Sequence, residues 1–299
     1  MATDHKMVVP VIDLANFPME LEKLAAAATG LGCFRVINHG IPPMLMEEMK
    51  AVTRSLFQLP AEAKLRSVND NIHAASYISP SQVGFFEAFS IYDASSMTDI
   101  RSFCSVLDTT TQQYEIISAY IEKLHGVSIN IACKVAESVG YISAGFFDEW
   151  PCFLRLNFYN FTVEEDIGRI GARIHTDSGF LSVLQEDESV GGFEIMNSNG
   201  NFVSIDPVPG TFIVNIGDVG KVWSNGRLQN VKHRVICKEA KPRISINMFL
   251  LTAKDDKVEP EATFVDSEHP KIYQTFMLNE YRKLRDTSGF RTGEILPLL

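Results

Sequence analysis

The chain has 299 residues, 45% apolar and 21% charged, a balance that excludes a disordered or low-complexity protein. Its formal net charge of −10 argues against a nucleic-acid partner, while leaving room for a local cationic site that takes a small organic acid. Residues 1–10 hold no secretory apolar stretch and no run is long enough to span a bilayer, so neither a membrane nor a secreted setting is expected and the cytoplasm is the expected compartment.

The length allows two domains or one large β-type domain with helical decoration. Val8 to Leu14 reads as a short strand. Phe17 to Thr29 carries a helical stripe at Leu21, Leu24, Ala25 and Ala28, with Gly30 and Gly32 as terminators. Cys33 to Asn38 is β-rich, His39-Gly40 turns the chain with His39 as a structural residue, and Pro43 to Leu59 reads as a second helix. Between Asn69 and Ser105 no period holds. That stretch is rich in aromatics (Tyr77, Phe85, Phe86, Phe89, Tyr92, Phe103) and is either a wall or lid of a substrate pocket or an ordinary packed loop. Thr110 to Gln113 forms a capping-box sequence, and apolar residues from Ile116 to Val139 then repeat at helical spacing up to Gly140, a scaffold helix. Five widely spaced cysteines (Cys33, Cys104, Cys133, Cys152, Cys237) make no Cys-x-x-Cys pair and read as reduced, buried thiols.

Beyond Pro151 short β-rich runs alternate with turn residues: Phe153 to Tyr159, Leu181 to Gln185, Phe193 to Met196, Phe202 to Ile205, Thr211 to Ile216 and Arg243 to Leu250. This spacing suggests a sandwich or barrel. In a strand, residues two apart share a face. Arg155, Asn157 and Tyr159 therefore share one face of the first run, and Arg243, Ser245, Asn247 and Phe249 one face of the last. His175 and Asp177 would present an imidazole and a carboxylate together, and His233, 58 positions on, supplies a second imidazole. Two His and one carboxylate with open positions suit a non-haem Fe(II) oxygenase. Ten residues later Arg243 and Ser245 offer a guanidinium fork and a hydroxyl, a receptor for the distal carboxylate of a 2-oxoacid whose other end chelates iron. A zinc hydrolase could use the same triad but would not explain Arg243 and Ser245. No Gly-x-Gly-x-x-Gly, Walker or Gly-x-Ser-x-Gly motif competes. A non-catalytic small-molecule-binding β-barrel is the alternative of a different class. The tail from Asp266, with a helix near Leu278 to Leu284, is expected to pack over the barrel mouth.

Ile174 to Leu181 resembles the metal loop of the plant 2-oxoglutarate- and Fe(II)-dependent dioxygenases. Val231 to Val235 resembles their distal-histidine segment, and Gly32 to Pro42 their N-terminal region. The resemblance runs from Val9 to about Leu284. It implies an α+β, mainly β fold: a double-stranded β-helix (jelly-roll) core over 151–255, preceded by an N-terminal region (1–110) with the pocket loop and a scaffold helix (111–150). A C-terminal tail (256–299) with its helix packs on the barrel, all in one structural unit. It implies Fe(II) on His175, Asp177 and His233, and 2-oxoglutarate on Arg243, Ser245, Asn157 and Tyr159, with Tyr159 donating to the co-substrate. O2 is the oxidant and ascorbate the expected reductant. Asn160 stands where the family usually has proline, which weakens that turn but not the ligand positions.

Within the family the chain is most similar to the auxin-oxidising branch, on the phrases Glu149-Trp150-Pro151, His175 to Leu184, Ile216 to Asp218 and Trp223 to Arg227. A small-molecule substrate, indole-3-acetic acid or its amino-acid conjugate, is implied; gibberellins and flavonoids are the alternatives. Tyr77 and Phe249 are candidate pocket walls. Arg155 is open between a substrate carboxylate and a structural salt bridge, the salt bridge being the plainer reading. Monomer and ligand- or redox-dependent homo-oligomer both stay open.

Overall fold

The computed structural model describes residues 9–67, 77–80 and 86–298. The chain after residue 150 passes repeatedly between two sheets. Strands β5 (Cys152–Tyr159), β7 (Leu181–Gln185), β10 (Phe212–Ile216) and β12 (Arg243–Leu250) enter the large sheet; β6 (Ile170–His175), β8 (Phe193–Met196), β9 (Phe202–Ser204) and β11 (His233–Ile236) enter the small one. The small sheet has the order β6-β11-β8-β9. The large sheet has eight strands, because β1 (Val11–Asp13) and β2 (Cys33–Ile37) extend it beyond β10, and β3 (Tyr77–Ile78) and β4 (Phe86–Ile91) extend it beyond β5. Its central pairings are antiparallel and in register, Arg243 facing Tyr159 and Ser245 facing Asn157. This is the expected jelly-roll.

Side-chain alternation separates two cores. On β12, Ile246, Met248 and Leu250 point into the larger apolar cluster, which is filled by the helices. On β5 and β10, Leu154, Leu156, Val214 and Ile216 do the same. The opposite faces of β5, β7 and β10 contribute Tyr159, Leu184 and Ile213 to a smaller cluster with Phe193, Ile195 and Val235 of the small sheet, so this cluster fills the space between the sheets. Polar residues on those inward faces are held at one end of it.

Helices α1 (Leu21–Gly30), α2 (Pro43–Phe57), α3 (Ala61–Leu65) and α4 (Met97–Val106) precede the long α5 (Thr111–Ser138). The capping box of α5 forms as its sequence predicts: the Thr110 hydroxyl accepts from Gln113 N, and the Gln113 side chain accepts from Thr110 N. Buried Ile117, Tyr120, Ile121, Leu124, Ile131 and Val135 give α5 its grip on the sheet. Each such side chain contributes about 1.5–3 kcal/mol of transfer free energy. A short helix α6 (Asp218–Trp223) follows β10, and α7 (Leu278–Ser288) closes the chain after the pair β13 (Lys257–Val258) and β14 (Phe276–Met277). Among the described residues no helix is long and apolar enough to cross a membrane.

Three local expectations change. The first helix starts at Leu21, not Phe17, because turns closed by Met19 N on Asn16 O and Leu21 N on Pro18 O take up the preceding residues. The aperiodic aromatic stretch contains β4 and α4. β4 is buried on both faces, so it shows no alternation, and α4 begins at a Ser96 N-cap that accepts from Asp99 N. Finally, β6 ends at His175 and Asp177 lies in the turn after it, rather than on the same strand.

Candidate active site

His175 closes β6, His233 opens β11, and the two are register partners across the small sheet, with ring centroids 4.2 Å apart. The turn after His175 brings Asp177 back toward both. Its Oδ1 lies 3.7 Å from His175 Nε2 and 3.6 Å from His233 Nε2. The three ligand atoms lie within 4.8 Å of one another. Each imidazole turns Nδ1 to a backbone carbonyl, His175 to Arg173 O at 2.7 Å and His233 to Val231 O at 3.2 Å. Those bonds assign the ring proton to Nδ1 and leave the Nε2 lone pairs free for a shared cation. Ser182 Oγ donates to Asp177 Oδ2 at 2.6 Å, so Oδ1 is the oxygen left for a metal. Burial, followed by repulsion from His233, holds the His175 imidazolium well below its usual range. Burial works against the Asp177 carboxylate, but His233, His175 and Ser182 together hold it below the ordinary value. Two imidazole Nε2 atoms beside an ionised carboxylate fit a divalent transition metal.

The turn is fixed from outside by the C-terminal residues. Thr176 N donates to Arg291 O at 2.8 Å, and Arg285 Nη2 donates to Thr176 O at 2.6 Å. Arg285 Nη1 reaches Asp218 Oδ2 at 2.5 Å, Tyr281 OH donates to the same oxygen at 2.7 Å, and Asp218 N donates to Asp177 O at 2.8 Å. Gly217 lets these segments meet: a Cβ there would lie 2.1 Å from Gly179 O and 2.8 Å from Asp177 O. In the sequence Ile216-Gly217-Asp218 stands only as one of the phrases that carry the resemblance; the long-range partners of Asp218 leave no local pattern.

Deeper between the sheets, Arg243 is 1% exposed, yet its Nε and Nη1 have no hydrogen-bond partner among the described residues. Its guanidinium stands 5.3 Å from the centre of the Tyr159 ring. Asn157 Nδ2 donates to Ser245 Oγ at 3.2 Å, joining the polar groups of β5 and β12. Burial raises the Tyr159 phenol, with Arg243 and Ser245 opposing, so it stays a protonated donor. An unpaired buried guanidinium costs several kcal/mol unless an anion meets it. The donors therefore fit a carboxylate ligand.

Residues 150–252 match the 2OG-Fe(II) oxygenase superfamily, and residues 9–114 match the N-terminal region of non-haem dioxygenases in morphine synthesis. The 2-oxoglutarate-dependent dioxygenase DAO of Oryza sativa is 48% identical over 298 residues, covering 97% of this chain and 98% of the relative. The chain belongs to the 2-oxoglutarate- and Fe(II)-dependent oxygenase superfamily. The crystal structure of the rice dioxygenase for auxin oxidation superposes with a TM-score of 0.90 at 46% identity, covering 98% of this chain and 99% of that one. The 2-oxoglutarate complex of Arabidopsis thaliana DAO1 gives 0.84 at 44% identity, covering 88% and 100%. This chain is therefore an oxidoreductase, a 2-oxoglutarate-dependent dioxygenase that uses Fe(II) and acts on a small molecule, rather than a non-catalytic barrel.

The oxygenase has a cavity of about 160 Å³ opening from His175 and Asp177. Two of the sequence-predicted substrate residues line it, Arg155 and Phe249, together with Phe153, Leu251 and Arg282. Phe153 was legible, since it shares the Arg155 face by strand parity; Arg282, on α7, was not. The structural salt bridge expected of Arg155 does not form. Among the described residues no carboxylate lies within ion-pair distance of it, and its Nε donates only a long 3.4 Å bond to Ser90 Oγ. Tyr77 is placed elsewhere. Its hydroxyl donates to Glu87 Oε2 at 2.5 Å, Lys64 Nζ lies 2.6 Å from the same oxygen, and its ring packs on Phe89, so it braces the sheet edge instead of lining the cavity. Phe85 lies outside the described residues.

Proposed function

We infer that this dioxygenase oxidises the auxin indole-3-acetic acid to 2-oxindole-3-acetic acid by inserting one oxygen atom at the indole C2. In this reading His175, Asp177 and His233 would hold Fe(II). Arg243 and Ser245 anchor the distal carboxylate of 2-oxoglutarate, with the Tyr159 hydroxyl and Asn157 beside it. The observation that carries the co-substrate assignment is the buried Arg243 fork, two of whose nitrogens have no hydrogen-bond partner among the described residues. When bound, Fe(II) with 2-oxoglutarate and O2 supplies the oxidising power, the co-substrate leaving as succinate and CO2, and ascorbate keeps the metal reduced.

The protein's own contribution is orientation and exclusion of water. Nδ1–H bonds to Arg173 O and Val231 O aim both imidazoles. Ser182 turns the Asp177 carboxylate. Tyr159, kept protonated, donates rather than repels. A flat aromatic acid suits the wall made by Phe153 and Phe249, whose rings lie 5.8 Å apart. The rice relative, by name a dioxygenase for auxin oxidation, supports the substrate.

The test is a competition. Purified protein with Fe(II), ascorbate and 2-oxoglutarate is offered indole-3-acetic acid, its aspartate conjugate and a gibberellin, and products are read by mass. A product of the indole acid heavier by one oxygen, with matched succinate, is expected. Preferential turnover of the gibberellin would overturn the auxin reading and leave the dioxygenase class intact. Preference for the conjugate would keep the auxin chemistry and move the preferred substrate to a longer acid.

A further inference from the structure

Four arginines line the cavity outside the metal-ligand cluster, and they divide cleanly. Arg285 is bound to Asp218 at 2.5 Å, and Arg291 to Asp286 at 3.1 Å. Arg155 and Arg282 have no carboxylate within ion-pair distance among the described residues. Arg282 is only 7% exposed, and its Nη1 has no hydrogen-bond partner among the described residues. The two come from different elements, β5 and α7, yet both guanidiniums approach the same Phe153 ring, at 4.9 Å and 5.6 Å from its centre. Burial first, and then Arg282, pushes the Arg155 guanidinium below its usual range, as two like charges sharing a pocket must. Other ionisable groups acting on Arg155 are Tyr159, Asp286 and Asp177, and on Arg282 the Tyr92 phenol, Asp286, Arg285 and Asp256; of these carboxylates, Asp286 is engaged by Arg291 and Asp177 belongs to the candidate metal cluster.

We propose that Arg155 and Arg282 together form the receptor for the substrate's carboxylate, with the apolar body of the substrate lying along Phe153 and Phe249 toward the metal ligands. The inference rests on the small aromatic acid proposed above and adds a second recognition residue, on the C-terminal helix, that strand parity does not reveal. Two buried like charges repel each other until an anion lies between them, so the receptor favours a free acid over its neutral derivatives. An uncharged amide of the same shape leaves both guanidiniums unanswered and meets a desolvation penalty that the acid escapes. The pair is thus a specificity device: it selects charge at one end of the substrate, while the aromatic wall selects shape.

The experiment compares indole-3-acetic acid with indole-3-acetamide in wild type, R282Q and R282K, by steady-state turnover and by calorimetric binding to the anaerobic holoenzyme with 2-oxoglutarate. Wild type is expected to favour the acid strongly. R282Q raises the KM and the dissociation constant for the acid by about ten- to a hundred-fold, with little change for the amide, so the preference collapses. R282K retains part of it, and the KM for 2-oxoglutarate holds in both. A wild type indifferent to the charge, or an R282Q enzyme that keeps the preference, overturns the receptor. The wild-type comparison decides even if a variant fails to fold. If a gibberellin proves to be the substrate, the auxin reading alone falls, and the same acid-against-methyl-ester comparison on the gibberellin decides the receptor.

Discussion

Arg243 and Arg285 are both buried, at 1% and 7% exposure, yet their surroundings are opposite. Arg285 spends its donors on protein: Asp218 Oδ2, Thr176 O and Arg291 O, at 2.5–2.8 Å. Arg243 has an aromatic ring beside it and two nitrogens without a hydrogen-bond partner among the described residues. A saturated guanidinium is a fastener; an unsaturated one in a dry site is a receptor. Substituting each should therefore damage different observables.

The largest effect is expected at the cluster that both arginines serve. His233→Ala should abolish turnover and iron retention while leaving cooperative thermal unfolding, because the barrel core between the sheets is apolar and does not need the metal to close. Normal iron content in that variant would break the triad assignment.

Breaking the fastener comes next. Arg285→Gln strands Asp218, which is fully buried, and should cost about 3–5 kcal/mol of stability. Iron should leak faster from the unclamped turn, while the KM for 2-oxoglutarate in metal-saturated enzyme changes little. Differential scanning calorimetry and iron-release kinetics check the two halves. An unaltered melting temperature would mean that the Asp218 contact is idle.

Arg243→Lys should do the reverse. It keeps the charge and loses the planar fork, so the KM for 2-oxoglutarate should rise by about ten- to a hundred-fold, corresponding to roughly 1.5–3 kcal/mol, with Fe(II) affinity held. Arg243→Met sharpens the contrast further. Removing a buried charge that forms no salt bridge among the described residues, with Glu186 as the nearby carboxylate that feels it, should leave the apo melting temperature unchanged or higher, and should remove the stabilisation that 2-oxoglutarate gives the wild type. A large drop in apo stability would make Arg243 a fastener as well.

The smallest effect lies far from both, at His39. Its Nδ1 accepts from Ile41 N and its Nε2 donates to Gly210 O, which fixes the neutral ring, and burial lowers its pKa despite that carbonyl. The unfolded chain takes up the proton first, so this group's stabilisation is complete above about pH 6.5 and declines as pH falls toward the lower folded value. His39→Gln should flatten that part of the acid side of the melting profile; an unchanged slope would remove His39 as the cause.

Much of this was legible in the chain because strand parity is a strong rule. The β12 run was bounded correctly at Arg243 and Leu250, and its parity put Arg243, Ser245 and Phe249 on one face. The same rule was too generous at His175 and Asp177, which meet through a turn instead of a strand face. β4 escaped because a strand buried on both sides does not alternate. Arg282 and the Asp218–Arg285 pair escaped for another reason: their partners are remote in sequence, 67 residues apart for the pair, and local patterns carry no information about such meetings. Arg155 was legible as a residue and misjudged as a salt bridge, since parity gives a direction but not a partner.

Thr176, between two of the metal ligands, has both its backbone N–H and its carbonyl taken by residues from the last stretch of the chain, Arg291 and Arg285. During synthesis all three ligands emerge from the ribosome well before those two residues do. The ligand turn, already held from the barrel side by Ser182 and Asp218, thus gains its remaining backbone contacts only when the end of the chain docks. A chain stopped before Leu278 would carry all three candidate ligands without either contact to Thr176, and is expected to hold iron poorly, which the iron content of the truncated protein would check.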